Sequence, residues 1–352
     1  MLTLGIFLTP FHLRQYNSLD IKKNNEILFV SDQISFDFVK CFFDLKKVIV
    51  FEEINFKSKD LLKYPFKKII EYRNATKKYK QFINKWISLL LTNKYLDEPV
   101  NVYIFSEKHI FVQIFISNLK KVTKCKVTEI DEGIGFYLKY NFLDYILKIL
   151  YPIVNYLLLG FPYRYYKVLG TASFIDELYV IFPEFICGKR KCQVYKLDCK
   201  KVQNQHFVSS DNKLLLLTSP LSEDRILIEK KERKLIEKVV FSAVKAGYNV
   251  FIKPHPRENI DKYKFLKENY KQYISLLTEI LSEEINYFEY KYIINFGSSA
   301  VLDIFSSNFP LKNIITIDIF KISKKIPLYN FTKVINYREI KKIDEIIKSL
   351  LS

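Results

Sequence analysis

The chain has 352 residues, 49% of them hydrophobic, and its excess of Lys and Arg over Asp and Glu gives a formal net charge of +18. The apolar content is enough for a packed core and excludes a disordered chain, and the length predicts about two domains. The positive charge indicates an anionic partner, which is a nucleic acid, a membrane surface or a charged substrate.

The cysteines do not indicate a disulfide framework. Their number is five, which is odd, and the chain is long, so we expect free thiols in a reducing cytosol. Cys187, Cys192 and Cys199 cluster before His206, but their spacings match no common zinc site. The apolar start at Leu2–Leu8 has no basic region before it, so we interpret it as a buried strand rather than a signal peptide.

Short apolar runs alternate with helical patterns through the first half of the chain. Several runs are apolar throughout, as expected for parallel strands that are covered on both faces. The predicted strands are Leu2–Leu8, Ile27–Ser31, Lys47–Phe51, Val102–Phe105 and Lys126–Ile130, and a long helix is predicted within Lys59–Leu91. This alternation predicts a doubly wound α/β domain.

A second series of the same kind begins near Lys213. Its predicted strands are Leu214–Thr218, Tyr248–Lys253, Tyr292–Asn295 and Asn313–Ile317, and its predicted helices are Glu223–Ala246, Ala300–Ser307 and Ile340–Leu351. We expect one Rossmann-like domain over residues 1–183, a linker over 184–212 and a second such domain over 213–352. By fold analogy this predicts the GT-B architecture, two Rossmann-like domains facing a central cleft, with candidate site residues beyond the carboxyl ends of strands.

An acidic pair follows the last predicted strand of the first series. Asp131 and Glu132 are adjacent, so their repulsion raises the pKa of one of them, and a carboxylate at a strand end can act as a general base. Gly133 allows a tight turn and a close approach of substrate. The alternative is an ordinary solvated acidic turn.

A histidine between two prolines follows the predicted strand Tyr248–Lys253. The prolines around His255 stiffen the backbone, and Lys253 and Arg257 flank the imidazole. A fixed donor with two cations suits a phosphate, and Pro256 completes this candidate site. The alternative is a structural turn that ends the strand.

Small hydroxyl residues follow the predicted strand Tyr292–Asn295. Gly297, Ser298 and Ser299 come directly before a predicted helix, whose N-terminus can bind phosphate through backbone N–H groups and hydroxyls. The alternative for the serines is a plain N-cap, and both roles can hold together.

Two further loops follow the first strand of each series. Thr9 and His12 belong to the first loop, and Ser219 and Asp224 belong to the second. We expect both loops to face the cleft. The alternatives are a local hydrogen bond for His12 and a helix cap at Ser222.

The motifs in this order resemble those of the bacterial sialyltransferases. These include the lipooligosaccharide sialyltransferases of glycosyltransferase family 52 and the bacterial polysialyltransferases, and the segments that begin at Thr9 and Thr218 are more similar to family 52. The resemblance spans most of the chain. It implies a GT-B fold, an inverting mechanism, no metal, no cofactor, and a CMP-activated acid sugar as donor, either CMP-sialic acid or another ulosonic acid. The absence of any Asp-x-Asp sequence agrees with a metal-independent reaction.

The resemblance also implies roles for the motif residues. Asp131 or Glu132 would deprotonate the acceptor hydroxyl, and we favour Glu132. His255 would contact the donor phosphate and stabilise or protonate the leaving CMP. Substrate-binding roles would fall on Lys253, Pro256, Arg257, Gly297, Ser298, Ser299, Ser219, Asp224, Thr9, His12 and Gly133.

The expected activity is sialyl transfer to a terminal sugar, a galactoside, of a bacterial surface glycan such as lipooligosaccharide or capsule. The alternatives are a polysialyltransferase, a transferase for another ulosonic acid, and a GT-B epimerase of UDP sugars. A nucleic-acid-binding protein is the alternative from another class, but the chain has no dense basic block or recognised nucleic-acid motif.

The expected location is cytoplasmic, peripheral on the inner face of the membrane, where a lipid-linked acceptor would lie. The segment Phe142–Pro162 is too polar to span a bilayer, but residues 137–167 mix apolar stretches with basic residues and tyrosines. These tyrosines are Tyr140, Tyr145, Tyr151, Tyr156, Tyr163, Tyr165 and Tyr166. The alternative is that they pack inside the first domain or at a homodimer interface.

Overall fold

The computed structural model describes residues 1–19, 25–54, 65–139, 142–164, 166, 168–197, 210–278, 285–298, 300–306, 309–319, 326, 329, 332–336, 345 and 349. The chain divides into two compact units, Met1–Cys199 and Lys200–Ser352. The division falls inside the segment 184–212 that we expected to be a linker.

The first unit is built on a parallel sheet of seven strands. They are β1 (Thr3–Phe7), β2 (Glu26–Ser31), β3 (Val48–Phe51), β4 (Val100–Ile104), β5 (Cys125–Ile130), β6 (Glu177–Val180) and β7 (Gln193–Lys196). Their order is β3-β2-β1-β4-β5-β6-β7, and every pairing is parallel. The five strands predicted for this half are confirmed, with ends shifted by at most two residues.

Five helices accompany this sheet in the described part of the unit. They are α1 (Pro10–Ser18), α2 (Phe36–Lys40), α3 (Pro65–Thr92), α4 (Ile110–Leu119) and α5 (Phe142–Leu159). α3 packs against both α4 and α5. Phe111 of α4 stacks on Phe51 of β3 with ring centroids 3.9 Å apart, so aromatic side chains hold this helix on the sheet.

The second unit has a parallel sheet of its own and a separate core. Its strands are β8 (Ser210–Leu217), β9 (Asn249–Lys253), β10 (Ile274–Leu276), β11 (Tyr290–Asn295), β12 (Ile314–Asp318) and β13 (Lys333–Asn336). The order is β10-β9-β8-β11-β12-β13. The helices are α6 (Glu229–Lys245), α7 (Lys264–Tyr270) and α8 (Val301–Ser306). Leu214 and Leu216 of β8 share a core with Leu235 and Val239 of α6.

Two predicted elements differ from the structure. The helix predicted from Glu223 begins at Glu229, because the intervening residues form a tight turn in which the Ile226 N–H donates to the Leu221 carbonyl at 2.7 Å. Ser222 is therefore no helix cap, since Ile228 holds the N-cap position. Within the expected linker, residues 193–196 form the edge strand β7, which pairs with β6.

Some predicted features lie at residues that the structure does not describe. The predicted helix Ile340–Leu351 lies outside the described residues apart from two positions, and Cys199 and His206 lie outside them as well. The four described cysteines, Cys41, Cys125, Cys187 and Cys192, carry free thiols as expected. No described helix is both long enough and apolar enough to cross a membrane.

Both sheets reverse their strand order at one position. In the first unit the reversal lies between β1 and β4, and in the second it lies between β8 and β11. Connections leave such a position in opposite directions, and the crevice that opens there is the usual ligand site of an open α/β sheet. The predicted site residues follow β1 and β5 in the first unit and β8, β9 and β11 in the second.

Candidate active site

Asp131 is an anchor of the loop that follows β5. Its Oδ1 accepts the N–H of Gly133 at 2.8 Å, and its Oδ2 accepts the N–H of Ile181 at 3.2 Å and the hydroxyl of Tyr137. Burial raises the pKa of Asp131 to about 6, although these hydrogen bonds oppose the shift. Gly133 has φ 143°, a conformation that favours glycine, so the expected tight turn is present.

Glu132 is placed differently from its neighbour. Its side chain is 22% exposed, and its Oε2 lies 3.4 Å from the Nε2 of His12. A partly exposed carboxylate beside a fixed imidazole can accept a proton from a bound hydroxyl. The adjacent acids therefore differ in their surroundings: hydrogen bonds engage both oxygens of Asp131, whereas Glu132 stays partly exposed.

His12 is held in one tautomer at the start of α1. The N–H of Leu8 donates to its Nδ1 at 3.2 Å, so the ring proton of the neutral form lies on Nε2, which faces Glu132. The ring is buried and stacks on Phe105, just after β4, with centroids 4.5 Å apart and planes 8° apart. These contacts fix the direction of the imidazole toward Glu132.

Thr9 acts as the cap of α1. Its hydroxyl accepts the N–H of His12 at 3.4 Å, and Pro10 occupies the first helical position. Thr9 thus positions His12, and its contact with substrate stays a prediction.

Sequence reasoning missed a buried pair of carboxyl groups near this site. The N–H of Glu107 donates to Glu129 Oε1 at 2.9 Å, and the Glu107 carboxylate accepts the N–H groups of Thr171 and Ala172 at 3.2 and 2.8 Å. Burial, with the nearby charge of Glu107, raises the pKa of Glu129 well above its usual range. The signal in the sequence was a carboxylate inside the otherwise apolar end of β5.

In the second unit, His255 follows β9 and has an equally defined tautomer. The N–H of Arg257 donates to its Nδ1 at 3.2 Å, which leaves the proton of the neutral ring on Nε2. Burial, reinforced by the cation of Arg257, lowers the pKa of His255. Both effects favour the neutral ring, whose proton lies on Nε2.

Glu258 holds the backbone of the His255 loop. Its Oε2 accepts the N–H of His255 at 2.5 Å and the hydroxyl of Thr218 at 2.6 Å. Its Oε1 accepts the hydroxyl of Tyr263 at 2.9 Å and lies 2.6 Å from the Nζ of Lys262. A buried carboxylate with four donors is rigid, so it fixes the loop after β9 to the loop after β8.

Lys262 lies among three carboxylates. Among the residues that the structure describes, the carboxylate oxygen atoms of Glu223, Glu232 and Glu258 lie within 4.8 Å of one another. This spacing would suit a metal ion. Lys262 Nζ contacts Glu232 and Glu258 at 2.6 Å and Glu223 at 3.2 Å. Burial lowers the pKa of Lys262, but the hydrogen bonds to Glu232 and Glu258 outweigh it and raise the pKa. The ammonium group thus supplies the cation for this cluster.

A cavity of about 530 Å³ opens beside the cluster. Its lining comprises Ser222, Glu223, Arg225, Ile226, Leu227, Ile228, Glu229, Asn259 and Lys262. His255 does not belong to this lining, so the cavity is separate from the His255 side chain.

Two predicted donor-binding residues pair with each other. Arg257 donates to both carboxylate oxygens of Asp224, at 2.8 and 3.1 Å, which joins the loops after β9 and β8. Ser219 and Lys253 are buried, and the Lys253 carbonyl accepts the Thr218 N–H at 3.2 Å. Pro256 is exposed.

The turn after β11 is well defined up to Ser298. Gly297 has φ 84°, which favours glycine, and the Ser298 N–H donates to Asn295 Oδ1 at 2.7 Å. The Ser298 hydroxyl accepts the N–H of Ala300 at 3.4 Å, as a capping residue does. Ser299 lies outside the described residues, and its role stays a prediction.

The predicted residues therefore form one group in each unit. In the first unit, Glu132, His12 and the anchor Asp131 gather where β1, β4 and β5 end. In the second, His255, Arg257 and Asp224 gather where β8 and β9 end, with Ser298 following the neighbouring strand β11.

Two solved structures with the same fold were determined with nucleotide sugars bound. UDP-GlcNAc 2-epimerase of Methanocaldococcus jannaschii, in complex with UDP-GlcNAc and UDP, has a TM-score of 0.56 and 13% identity and is matched over 100% of this chain and 93% of its own. UGT89C1 of Arabidopsis thaliana, complexed with UDP-L-rhamnose, has a TM-score of 0.55, 10% identity and coverage of 99% and 89%. A sialyltransferase from Photobacterium damsela has a TM-score of 0.46, 11% identity and coverage of 95% and 81%. At these identities the first two likenesses show the fold, and the GT-B prediction is confirmed.

The comparison with protein families is more specific than the comparison of folds. No curated protein matches the sequence. Residues 9–305 match the family described as Alpha-2,8-polysialyltransferase (POLYST), which is the second of the two groups that the motifs resemble. The match includes the acidic, His-Pro and Ser-Ser motifs, and the prediction of a bacterial sialyltransferase is confirmed. This protein belongs to the alpha-2,8-polysialyltransferase family.

Proposed function

We propose that this protein is an inverting, metal-independent sialyltransferase that moves sialic acid from CMP-sialic acid to a terminal galactoside of a bacterial surface glycan. Family membership supports the sialyl-transfer class, and the GT-B fold agrees with a nucleotide-sugar donor. The identity of the donor, the acceptor and the stereochemical course are our inference.

The observation that carries the proposal is the Glu132–His12 pair at the end of β5. Glu132 takes the proton of the acceptor hydroxyl while that oxygen forms a bond to the anomeric carbon of the donor sugar. The Nε2–H of His12 holds the carboxylate in place. Asp131 keeps the loop in position, because hydrogen bonds engage both of its oxygens.

His255 serves the leaving group. As the bond between the sugar and the phosphate breaks, the electron pair goes to the phosphate oxygen, where the Nε2–H of His255 stabilises it by a hydrogen bond. The sequence left open whether His255 stabilises or protonates the CMP. The lowered pKa and the hydrogen bond to Nδ1 favour stabilisation by the neutral ring.

A second candidate function is the elongation of polysialic acid, which the family match favours. In that case the acceptor itself ends in sialic acid and carries a carboxylate on each sugar. The net charge of +18 suits such a polyanionic acceptor. Transfer of another CMP-activated ulosonic acid would use the same residues.

Product masses after incubation with CMP-sialic acid test both functions. We expect one added sialic acid on a lactoside for the first function, and a ladder on a sialic-acid-terminated primer for the second. The rate should persist in EDTA, because the Lys262 ammonium already lies among the carboxylates of the cluster, where a metal ion would otherwise bind. Absence of transfer to either acceptor, together with absence of CMP release, would contradict the proposal.

We further place the reaction at the inner face of the membrane, on a lipid-linked acceptor. The support is the basic charge of the chain and the exposed apolar side chains of α5, such as Ile153 and Leu157.

A further inference from the structure

Helix α5 presents a broad apolar face to solvent. On one side, Leu159 is buried and Leu158 packs against the core of the first unit. On the other side, large apolar side chains are 38% to 71% exposed; they are Ile146, Ile149, Leu150, Ile153, Val154, Tyr156 and Leu157. At 3.6 residues per turn they cover roughly 160° of the helix circumference. A continuous exposed apolar surface of this kind marks an interaction site.

The described part of this surface is mainly aliphatic, with Tyr156 as its aromatic member, whereas the prediction from the sequence emphasised tyrosines. Tyr166 is buried, and the hydroxyl of half-buried Tyr163 donates to the Lys108 carbonyl at 2.7 Å. Tyr151 is half-buried as well, whereas Tyr156 is exposed. Tyr140 and Tyr165 and the side chain of Tyr145 lie outside the described residues.

The sequence around α5 is rich in basic residues. Residues 139–167 contain Lys139, Lys148, Arg164 and Lys167 against the single acid Asp144. The neighbouring helix α3 carries seven Lys and Arg residues against one Glu. Lys80 of α3 donates to the Gly160 carbonyl at 2.7 Å, so the basic helix is fixed at the end of α5.

The positive charge favours one of the two partners that the apolar face of α5 could bind, a second copy of the chain or a lipid bilayer. A second copy of the chain would bring another +18 toward the first, which long-range repulsion opposes. An anionic bilayer attracts Lys and Arg near its surface and accepts aliphatic side chains at the boundary of its acyl region. Both features of the surface fit the bilayer.

We propose that the exposed face of α5 docks the first unit on an anionic lipid bilayer. Because the opposite face packs on the protein core, the helix lies in the plane of the interface. The inference rests on exposure and charge and not on the proposed reaction, so membrane binding and catalysis can fail independently.

Flotation with lipid vesicles tests this inference. The full chain should float with vesicles of phosphatidylglycerol and phosphatidylcholine at low salt, and less at high salt, because salt screens the attraction. The double variant Ile153→Asn/Leu157→Asn should lose vesicle affinity by at least about tenfold, since it removes two apolar side chains from the bilayer. Both positions are highly exposed, so we expect an unchanged thermal unfolding temperature.

A matched control is Phe36→Asn/Ile228→Asn, which removes two exposed apolar side chains outside α5. It should float like the unmodified chain. Equal flotation of the α5 variant and the unmodified chain would overturn the inference. A failure of the unmodified chain to float would also overturn it, as would a dimer in solution that the α5 variant dissociates.

Discussion

Two adjacent acids at the end of β5 differ because successive side chains leave a strand on opposite sides. Asp131 turns toward β6 and meets the Ile181 N–H, whereas Glu132 turns toward α1 and meets His12. A carboxylate whose oxygens are engaged by buried donors contributes to the fold. One that remains partly exposed can exchange a proton with substrate.

Glu132→Gln should lower the transfer rate by about 10²–10⁴, because the amide keeps the shape but accepts no proton. Its folding should be unchanged, since the side chain is partly exposed. Initial rates of CMP release and urea unfolding are the two measurements. Activity in Glu132→Gln and none in a folded Asp131→Asn variant would reverse the assignment.

Asp131 should make stability depend on pH in a specific window. The unfolded chain loses the Asp131 proton near the ordinary pKa of 3.8, whereas the folded chain keeps it to about 6. The folded state binds more protons between these values, so this contribution is full below pH 3.8 and is lost as the pH rises through 6. The corresponding free energy is about 3 kcal/mol.

Urea unfolding of the unmodified chain and of Asp131→Asn across this window measures the effect. The difference in unfolding free energy between the two should change with pH, and the unmodified chain should lose stability relative to the variant as the pH rises. A constant difference would show that Asp131 titrates at its ordinary pKa.

His255 should act as a neutral donor. His255→Ala should lower the rate by about 10²–10³, the usual effect of removing one donor to a developing anion. His255→Gln should retain part of the activity, because its amide can still donate. The rate should not fall between about pH 6 and 8, since the neutral ring is the working form. A fall near neutral pH that disappears in His255→Gln would identify His255 as a proton donor instead.

The connections between elements depend on groups that sequence spacing does not reveal. Glu258 joins the loops after β8 and β9, and Lys262 joins Glu258 to Glu232 of α6. Removing the ammonium group leaves buried carboxylates without a cation, which is far more costly than losing an exposed ion pair.

Lys262→Met should therefore destabilise the protein by about 3–5 kcal/mol. A matched control is Lys264→Met in the same segment, where the exposed ion pair with Asp261 contributes about 1 kcal/mol or less. Chemical unfolding compares the two variants. The double variant Lys262→Met/Glu232→Gln should recover part of the loss, and equal stability of Lys262→Met and Lys264→Met would contradict the ionic role of Lys262.

The strands that could be predicted from the sequence are those that are buried and therefore consist mostly of apolar residues. β1, β2 and β3 are mostly apolar runs, so their positions could be predicted directly. β7 is mostly exposed and polar, and it forms a strand only because β6 offers an edge. The start of α6 was mistaken because Ser222 with two following acids imitates a helix N-terminus, whereas the Ser222 N–H actually donates to Glu232.

The candidate site could be predicted in part, because some of its residues directly follow strands that the sequence pattern reveals. Glu132 and His255 follow buried strands, so their positions could be inferred from the pattern. Glu258 bonds to Thr218 and Lys262 to Glu232, and His12 stacks on Phe105. Each of these contacts joins residues that are far apart in sequence. Such contacts depend on the order of strands in the sheet, which the sequence pattern does not specify.

The whole molecule contains two parallel sheets with the same reversal of strand order, each with its own core. Two structures solved with UDP sugars share this fold at only 13% and 10% sequence identity. The fold is compatible with either UDP or CMP nucleotides, and the net charge is compatible with either a nucleotide sugar or a nucleic acid. Ligand binding to the full chain distinguishes these alternatives.

CMP should raise the thermal unfolding temperature, and UDP at the same concentration should not. A ligand that binds only the folded state at 100 times its dissociation constant adds about 2.7 kcal/mol of stability. His255→Ala should reduce the shift with CMP, because the imidazole donates to the phosphate in our proposal. An oligonucleotide of random sequence should bind weakly and lose affinity steeply with salt, because it meets only the diffuse charge of the surface. A larger shift with UDP than with CMP would favour the epimerase-like alternative. Salt-resistant binding of the oligonucleotide without any response to CMP would favour a nucleic-acid-binding protein.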